Sequence, residues 1–189
     1  MDYTKLSLPE VGTALEDVAR DARETFGRYS APQLNWRPDS SRWSVAQCLE
    51  HLLTANTMMF EAAGEALDES RPRSVWQRLP VLPRLFGPIM VRSMAPDAER
   101  KFKAPAKARP AASAISGDVV QRFIAQQLEA ATRARALDEG RAARTVMSSP
   151  FVKAVTYSVL DGWRLIVAHD HRHVEQARRV TQTAGFPTQ

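Results

Sequence analysis

Apolar residues recur three and four positions apart along four long stretches of the chain, and that spacing predicts four amphipathic helices. The first helix is expected at about residues 9 to 29. Leu8, Val11, Leu15, Val18, Ala22 and Phe26 form its stripe. Ser7 stands where an N-cap belongs, Glu10 three positions on completes a capping box, and Pro9 is tolerated in the first turn. The next segment, SAPQLNWRPDSSR, is rich in turn formers and reads as a linker. The second helix starts at Trp43 and Ser44, with Ser44 and Gln47 as a capping box and Trp43 placed as a hydrophobic staple. Cys48, Leu52, Ala55, Met59, Ala62 and Ala66 carry its period to about residue 67. The third helix is expected at about 118 to 139, capped by Ser116 or Asp118 and ended by Gly140, with Val119, Phe123, Ala130 and Leu137 on its apolar face. The fourth begins between 150 and 158 and runs to about 184, where Gly185 and Pro187 stop it.

Between the second and third helices the pattern breaks. Pro72, Pro80, Pro83, Pro88, Pro96, Pro105 and Pro110 exclude one long helix, leaving room for a short one between 84 and 94. The run VLPRLFGPIMV is strongly apolar for a linker, which suits a cover over the core or a dimer surface better than a membrane contact. No internal repeat and no strand pair stands out. The pattern predicts one all-α domain, residues 1 to 189, a four-helix bundle with an irregular crossover at about 71 to 115 between helices two and three.

Composition narrows the class. The chain has 189 residues, 44% hydrophobic and 25% charged, as in ordinary globular proteins. Its one cysteine, Cys48, excludes an internal disulfide. The opening MDYTKLSLPE lacks a basic-then-apolar secretory pattern, and no apolar run approaches the roughly 20 residues of a membrane span, so the expected compartment is the cytoplasm. The net charge is +5, with 21 of the 26 basic residues arginine. The densest basic stretch, RKFKAPAKAR at 100–109, carries only Phe102 for base stacking. It reads as a solvated loop, and no nucleic-acid partner is expected.

The chemistry lies in the histidines. Three of the four, His169, His171 and His173, fall within five residues on the fourth helix. At about 100° per residue, His169 and His173 lie about 40° apart on one face, while His171 points to the far side and is expected to face solvent. Two imidazoles make a poor metal site, but His51, on the inward face of the second helix, can supply a third if the helices are neighbours. A hydrogen-bonded core histidine is the other reading of His51. Cys48, about 60° round from His51, reads as a core thiol. Asp170 and Glu50 point about 100° away from the histidines beside them and read as surface charges, with a supporting role for other groups as the alternative. Gln176 shares the His173 face and is placed either to orient a ligand or to bond another helix.

Several segments resemble the DinB-like (DinB/YfiT) superfamily. WRPDSSRWSVAQCLEHLL is similar to the start of that family's second helix, with its Trp-Ser start and a histidine before leucine. HDHRHVEQARRV is similar to the last helix, where a His-x-x-x-His pair precedes a glutamine three residues on. SPFVKAVTYSVLDGW resembles the lead-in to that helix, and FKAP resembles a crossover segment. The likeness runs from about Leu8 to Val180. It implies an up-down-down-up bundle and a metal triad of His51, His169 and His173, with Gln176 matching the family glutamine; His171 is an addition to the pattern. It further implies a divalent ion, zinc or nickel, and a metal-dependent enzyme. The expected activity is a thiol-dependent S-transferase, with a low-molecular-weight thiol as cosubstrate, or a hydrolase, acting on a small electrophile. A non-catalytic metal-binding or stress-response protein is the alternative, and a homodimer fits either.

Overall fold

A computed structural model of the protein describes residues 1–78, 82–98, 104–111 and 114–187. It is predominantly helical. Helix α1 (Leu8–Phe26) starts where the capping pattern places it: the Ser7 hydroxyl accepts from the Glu10 N–H, and the Glu10 carboxylate accepts from the Ser7 N–H at 2.8 Å. The expected linker contains a one-turn helix, α2 (Ala31–Asn35), where the Ser30 N–H and hydroxyl both donate to the Gln33 side-chain oxygen, at 2.8 and 3.0 Å. Helix α3 (Val45–Leu67) begins at Ser44, whose hydroxyl accepts from the Gln47 N–H while the Gln47 side chain accepts from the Ser44 N–H, both at 3.1 Å. Each such cap is worth about 1 kcal/mol.

The apolar crossover run forms α4 (Leu82–Met94), with Pro88 inside it. This helix packs against the last helix and the second strand, burying Val91 completely, so the run covers the core as its composition suggests. Leu85 and Ile89 remain about half exposed, at 54% and 50%. Gly87 lets the backbone of α4 approach Asp161, where a β-carbon would collide with the carboxylate.

The third long helix, α5 (Val119–Ala136), is shorter than its sequence suggests. Asp138 accepts from the Arg141 N–H at 2.6 Å and starts a new helix, α6 (Glu139–Arg144), so Gly140 lies within a helix and does not end one. Capping by a carboxylate outweighs the glycine signal here. Two strands follow, β1 (Val146–Ser148) and β2 (Thr156–Ser158), paired antiparallel with Met147 opposite Tyr157. Three residues each are too few to show a period of two, which is why the sequence pattern gave no strand pair. Ser158 then caps α7 (Val159–Thr181), which stops three residues short of the expected end.

Two apolar clusters fill the interior. One gathers Leu15, Met59, Ala131, Tyr157 and Ile166; the other gathers Phe26, Leu49, Phe123 and Val174. Helix α1 packs along α5 and α7, and α3 packs along α7 and α5. Polar links cross the same seams. Arg135 of α5 holds Glu16 of α1 at 2.5 and 2.7 Å, and Arg178 of α7 holds both carboxylate oxygens of Asp21 at 2.5 and 2.6 Å. The Arg164 guanidinium donates to the Leu6 carbonyl at 2.8 Å. Among the described residues no helix is long and apolar enough to cross a membrane.

Two helical glycines separate propensity from packing. Gly64 is exposed with open space where a β-carbon would go, whereas at buried Gly162 a β-carbon would lie 2.6 Å from the enclosed Met147 sulfur. Gly64→Ala is expected to raise stability by up to about 1 kcal/mol, and Gly162→Ala to lower it despite the same gain in propensity. Urea unfolding midpoints of the two variants check this; a stabilised Gly162→Ala would show that Met147 yields without cost.

Candidate metal centre

The packing of α3 along α7 brings His51 to His169 and His173. The three rings meet edge to face, with centroids 5.1 Å (His51–His169), 4.7 Å (His51–His173) and 4.6 Å (His169–His173) apart. One donor nitrogen from each lies within 4.8 Å of the others. The Nε2 atoms of His51 and His169 are 3.3 Å apart. Two nitrogens on a tetrahedral ion with bonds of about 2.1 Å stand about 3.4 Å apart, so this pair already has the spacing of neighbouring ligands. His51 is buried, and His169 and His173 are partly exposed, which puts the cluster at the edge of the core.

The rings are held neutral. Burial pushes His169 well below the ordinary histidine range, and the neighbouring His173, His51 and Arg172 push it further. Burial, then His51 and Arg172, bring His173 down to about 3, against an opposing hydrogen bond with Gln176. Burial also lowers His51, against the bond it makes to Ala108. Neutral imidazoles keep the lone pairs a metal needs. Their individual settings suit that use. His51 Nδ1 lies 2.5 Å from the Ala108 carbonyl, which can only accept, so Nδ1 carries the proton and Nε2 keeps its lone pair. His173 Nδ1 is buried with no hydrogen-bond partner. The residues therefore fit a bound metal ion.

The other candidate residues fall differently. His171 does not face solvent as expected: it is partly buried, its ring packs 5.7 Å from Tyr3, and its Nε2 is enclosed without a hydrogen bond. The short 3-10 turn Tyr3–Lys5 lies against α7 and covers it, a long-range contact that helical geometry alone does not reveal. Asp170 is a second correction. It is fully buried, accepts from Asn56 Nδ2 at 3.0 and 3.3 Å, and is pushed up to about 8 by burial, against the Asn56 hydrogen bond and the nearby Gln127 amide. It points into the seam of α3, α5 and α7 and not toward the surface. Glu50 is not a free surface charge either, because its carboxylate accepts from the Ala111 N–H at 2.7 Å. Cys48 is a core thiol as read, with burial raising it to about 12 and leaving it protonated.

Two parts of the site escaped the sequence reading. Trp43 stacks on His173 at 5.8 Å and tilts over His51 at 5.0 Å, forming one wall. Its place beside the Ser44 cap, eight residues before His51, was the available signal. The second is Ala108, fully buried within the stretch read as a solvated loop. Lys107 and Arg109 on either side are exposed, as expected; residues 100–103 of that stretch, with Phe102, lie outside the described residues. No motif marks a backbone carbonyl, so sequence carried no signal for it.

A family model described as the DinB superfamily matches residues 14–177. No curated protein and no solved structure gave a match. The matched span takes in all three converging histidines together with Trp43 and Ala108, and by it the chain belongs to the DinB superfamily.

Proposed function

We propose that the chain is one domain that binds a single divalent metal ion through His51, His169 and His173, and uses it to activate a small thiol or water against an electrophilic substrate. The observation that carries this reading is the convergence of three neutral imidazoles at the edge of the core. Imidazole donors suit zinc and nickel. An ion held there would supply a positive charge that three neutral ligands do not compensate, enough to lower the pKa of a thiol or water toward neutrality. Trp43 supplies an apolar wall that excludes water from one side and can hold the body of a substrate. Gln176, one turn beyond His173, orients that ring.

The proposed arrangement is an up-down-down-up bundle, and cross-helix contacts support it. His51 meets His169 while Phe60 meets Trp163, so α3 and α7 run oppositely. Gln126 bonds the Leu53 carbonyl and Arg133 lies over Phe60, so α3 and α5 run together. Leu6, just before α1, meets Arg164, and Asp21 meets Arg178, so α1 runs with α7. A homodimer through the exposed side of α4, at Leu85 and Ile89, belongs to the same proposal.

One observation favours a second reading, in which the metal is bound without catalysis. Asp170 is turned into the core and Glu50 is engaged by Ala111, so neither carboxylate next to a ligand in sequence is positioned as a general base.

Elemental analysis of purified wild-type protein is expected to find about one zinc or nickel per chain, and His51→Ala or the His169→Ala/His173→Ala pair to lower zinc affinity at least about 100-fold. Protein that neither carries nor takes up metal would sink the site. Turnover of a chlorodinitrobenzene with a panel of thiols, lost on chelation and restored by metal, is expected of the catalytic reading; full metal occupancy with no turnover across the panel favours the second.

Acid provides an independent check. The folded histidines sit below their unfolded value of about 6.5, so between the two values the unfolded chain binds more protons. Stability of the metal-free protein is therefore full above about pH 6.5 and is lost as pH falls toward the folded values. From pH 7 to pH 5 wild type is expected to lose at least about 1 kcal/mol more than the His169→Ala/His173→Ala variant. Equal losses, read from urea midpoints, would show that these imidazoles are not held neutral.

A further inference from the structure

We infer that the crossover segment 104–111 is a strap that sets the tautomer of His51, and that Glu50 is the positioning residue that fastens it; as a device for ligand placement this rests on the metal-binding reading above. The 3-10 turn Ala106–Ala108 brings the Ala108 carbonyl to His51 Nδ1. Three residues on, α3 grips both polar groups of one peptide residue: the Glu50 carboxylate accepts the Ala111 N–H at 2.7 Å, and the Gln47 amide donates to the Ala111 carbonyl at 3.0 Å. Gln47, Glu50 and His51 lie three and four residues apart, so one turn of α3 presents all three side chains to the strap.

The strap is built to hold its shape. Pro105 and Pro110 fix the backbone on either side of Ala108 and bring no N–H of their own. The Arg109 guanidinium donates back to the Ala104 carbonyl at 3.2 Å, and the Ala108 N–H is taken by the Pro105 carbonyl at 2.9 Å. The Ala108 carbonyl is thus presented to the histidine by a closed turn whose own bonds are made. Neutral imidazole has two tautomers, and the partner of one nitrogen decides which is present. With the carbonyl in place, Nδ1 holds the proton and Nε2 faces His169 with a lone pair. With the strap lifted, the proton is free to move to Nε2, the atom that must bind the metal.

Glu50 is the better handle for a test, because Gln47 also caps α3. Zinc affinity is measured by competition with a chromophoric chelator for wild type, Glu50→Ala and Glu50→Gln. Glu50→Ala is expected to bind zinc about tenfold more weakly at an unchanged stoichiometry, and Glu50→Gln, which keeps an oxygen acceptor, to stay within about threefold of wild type. Imidazole nitrogen NMR of the metal-free proteins supplies a readout that needs no metal. His51 is expected as the Nδ1–H tautomer in wild type and in Glu50→Gln, and as a mixture in Glu50→Ala. An unchanged His51 tautomer in Glu50→Ala overturns the inference, whatever happens to affinity, as does a Glu50→Ala zinc affinity equal to that of a wild type that binds zinc. Wild type that binds no zinc overturns the metal reading instead, while the NMR comparison still decides whether the strap sets the ring.

Discussion

Three imidazoles crowded edge to face cannot carry charge on two rings at once. That constraint organises this part of the molecule. Charge on one ring disfavours charge on its neighbours, and the Arg172 guanidinium adds to that. Burial supplies the bias toward neutrality, and burial in turn needs α3 and α7 packed along their length, α4 laid over α7, and the 104–111 segment pressed against α3. The caps at Ser44 and Ser158 fix where α3 and α7 begin, and hence which residues of each helix meet.

Much of this was legible in the residues. Ser7 with Glu10, and Ser44 with Gln47, located two helix starts because a reciprocal cap is a local interaction between residues three apart. The 40° separation of His169 and His173 needed only the helical twist, and the inward position of His51 only its stripe. What escaped depends on long-range contact. Asp170 reads as a surface charge until Asn56, 114 residues earlier, is brought beside it. His171 reads as solvent-facing until the chain's opening turn folds over α7. The strand pair escaped because it is too short to show a period, and the end of α5 because Asp138 begins a new helix one residue past Leu137.

Gln47 and Trp43 show how economically the site is framed. Gln47 closes the cap of α3 with one end of its amide and holds the strap with the other. Trp43, read as a staple for the helix start, also walls the histidines. The start of α3 and the site wall are therefore one piece of structure, and a change that frays the helix start reaches the imidazoles within two turns.

The distance along the chain between the donors carries a consequence for synthesis. His51 and His169 touch across 118 residues of sequence, and the loop between them contains the strap, α4, α5 and both strands. Closing so long a loop is entropically unfavourable and slow, and it occurs only when the helices it joins can bury their stripes. A chain emerging from the ribosome thus presents His51 without its partners while the 118 residues up to His169 are made. The cluster comes into being only when α7 packs on α3, so occupation of all three histidines would report that this long loop has closed.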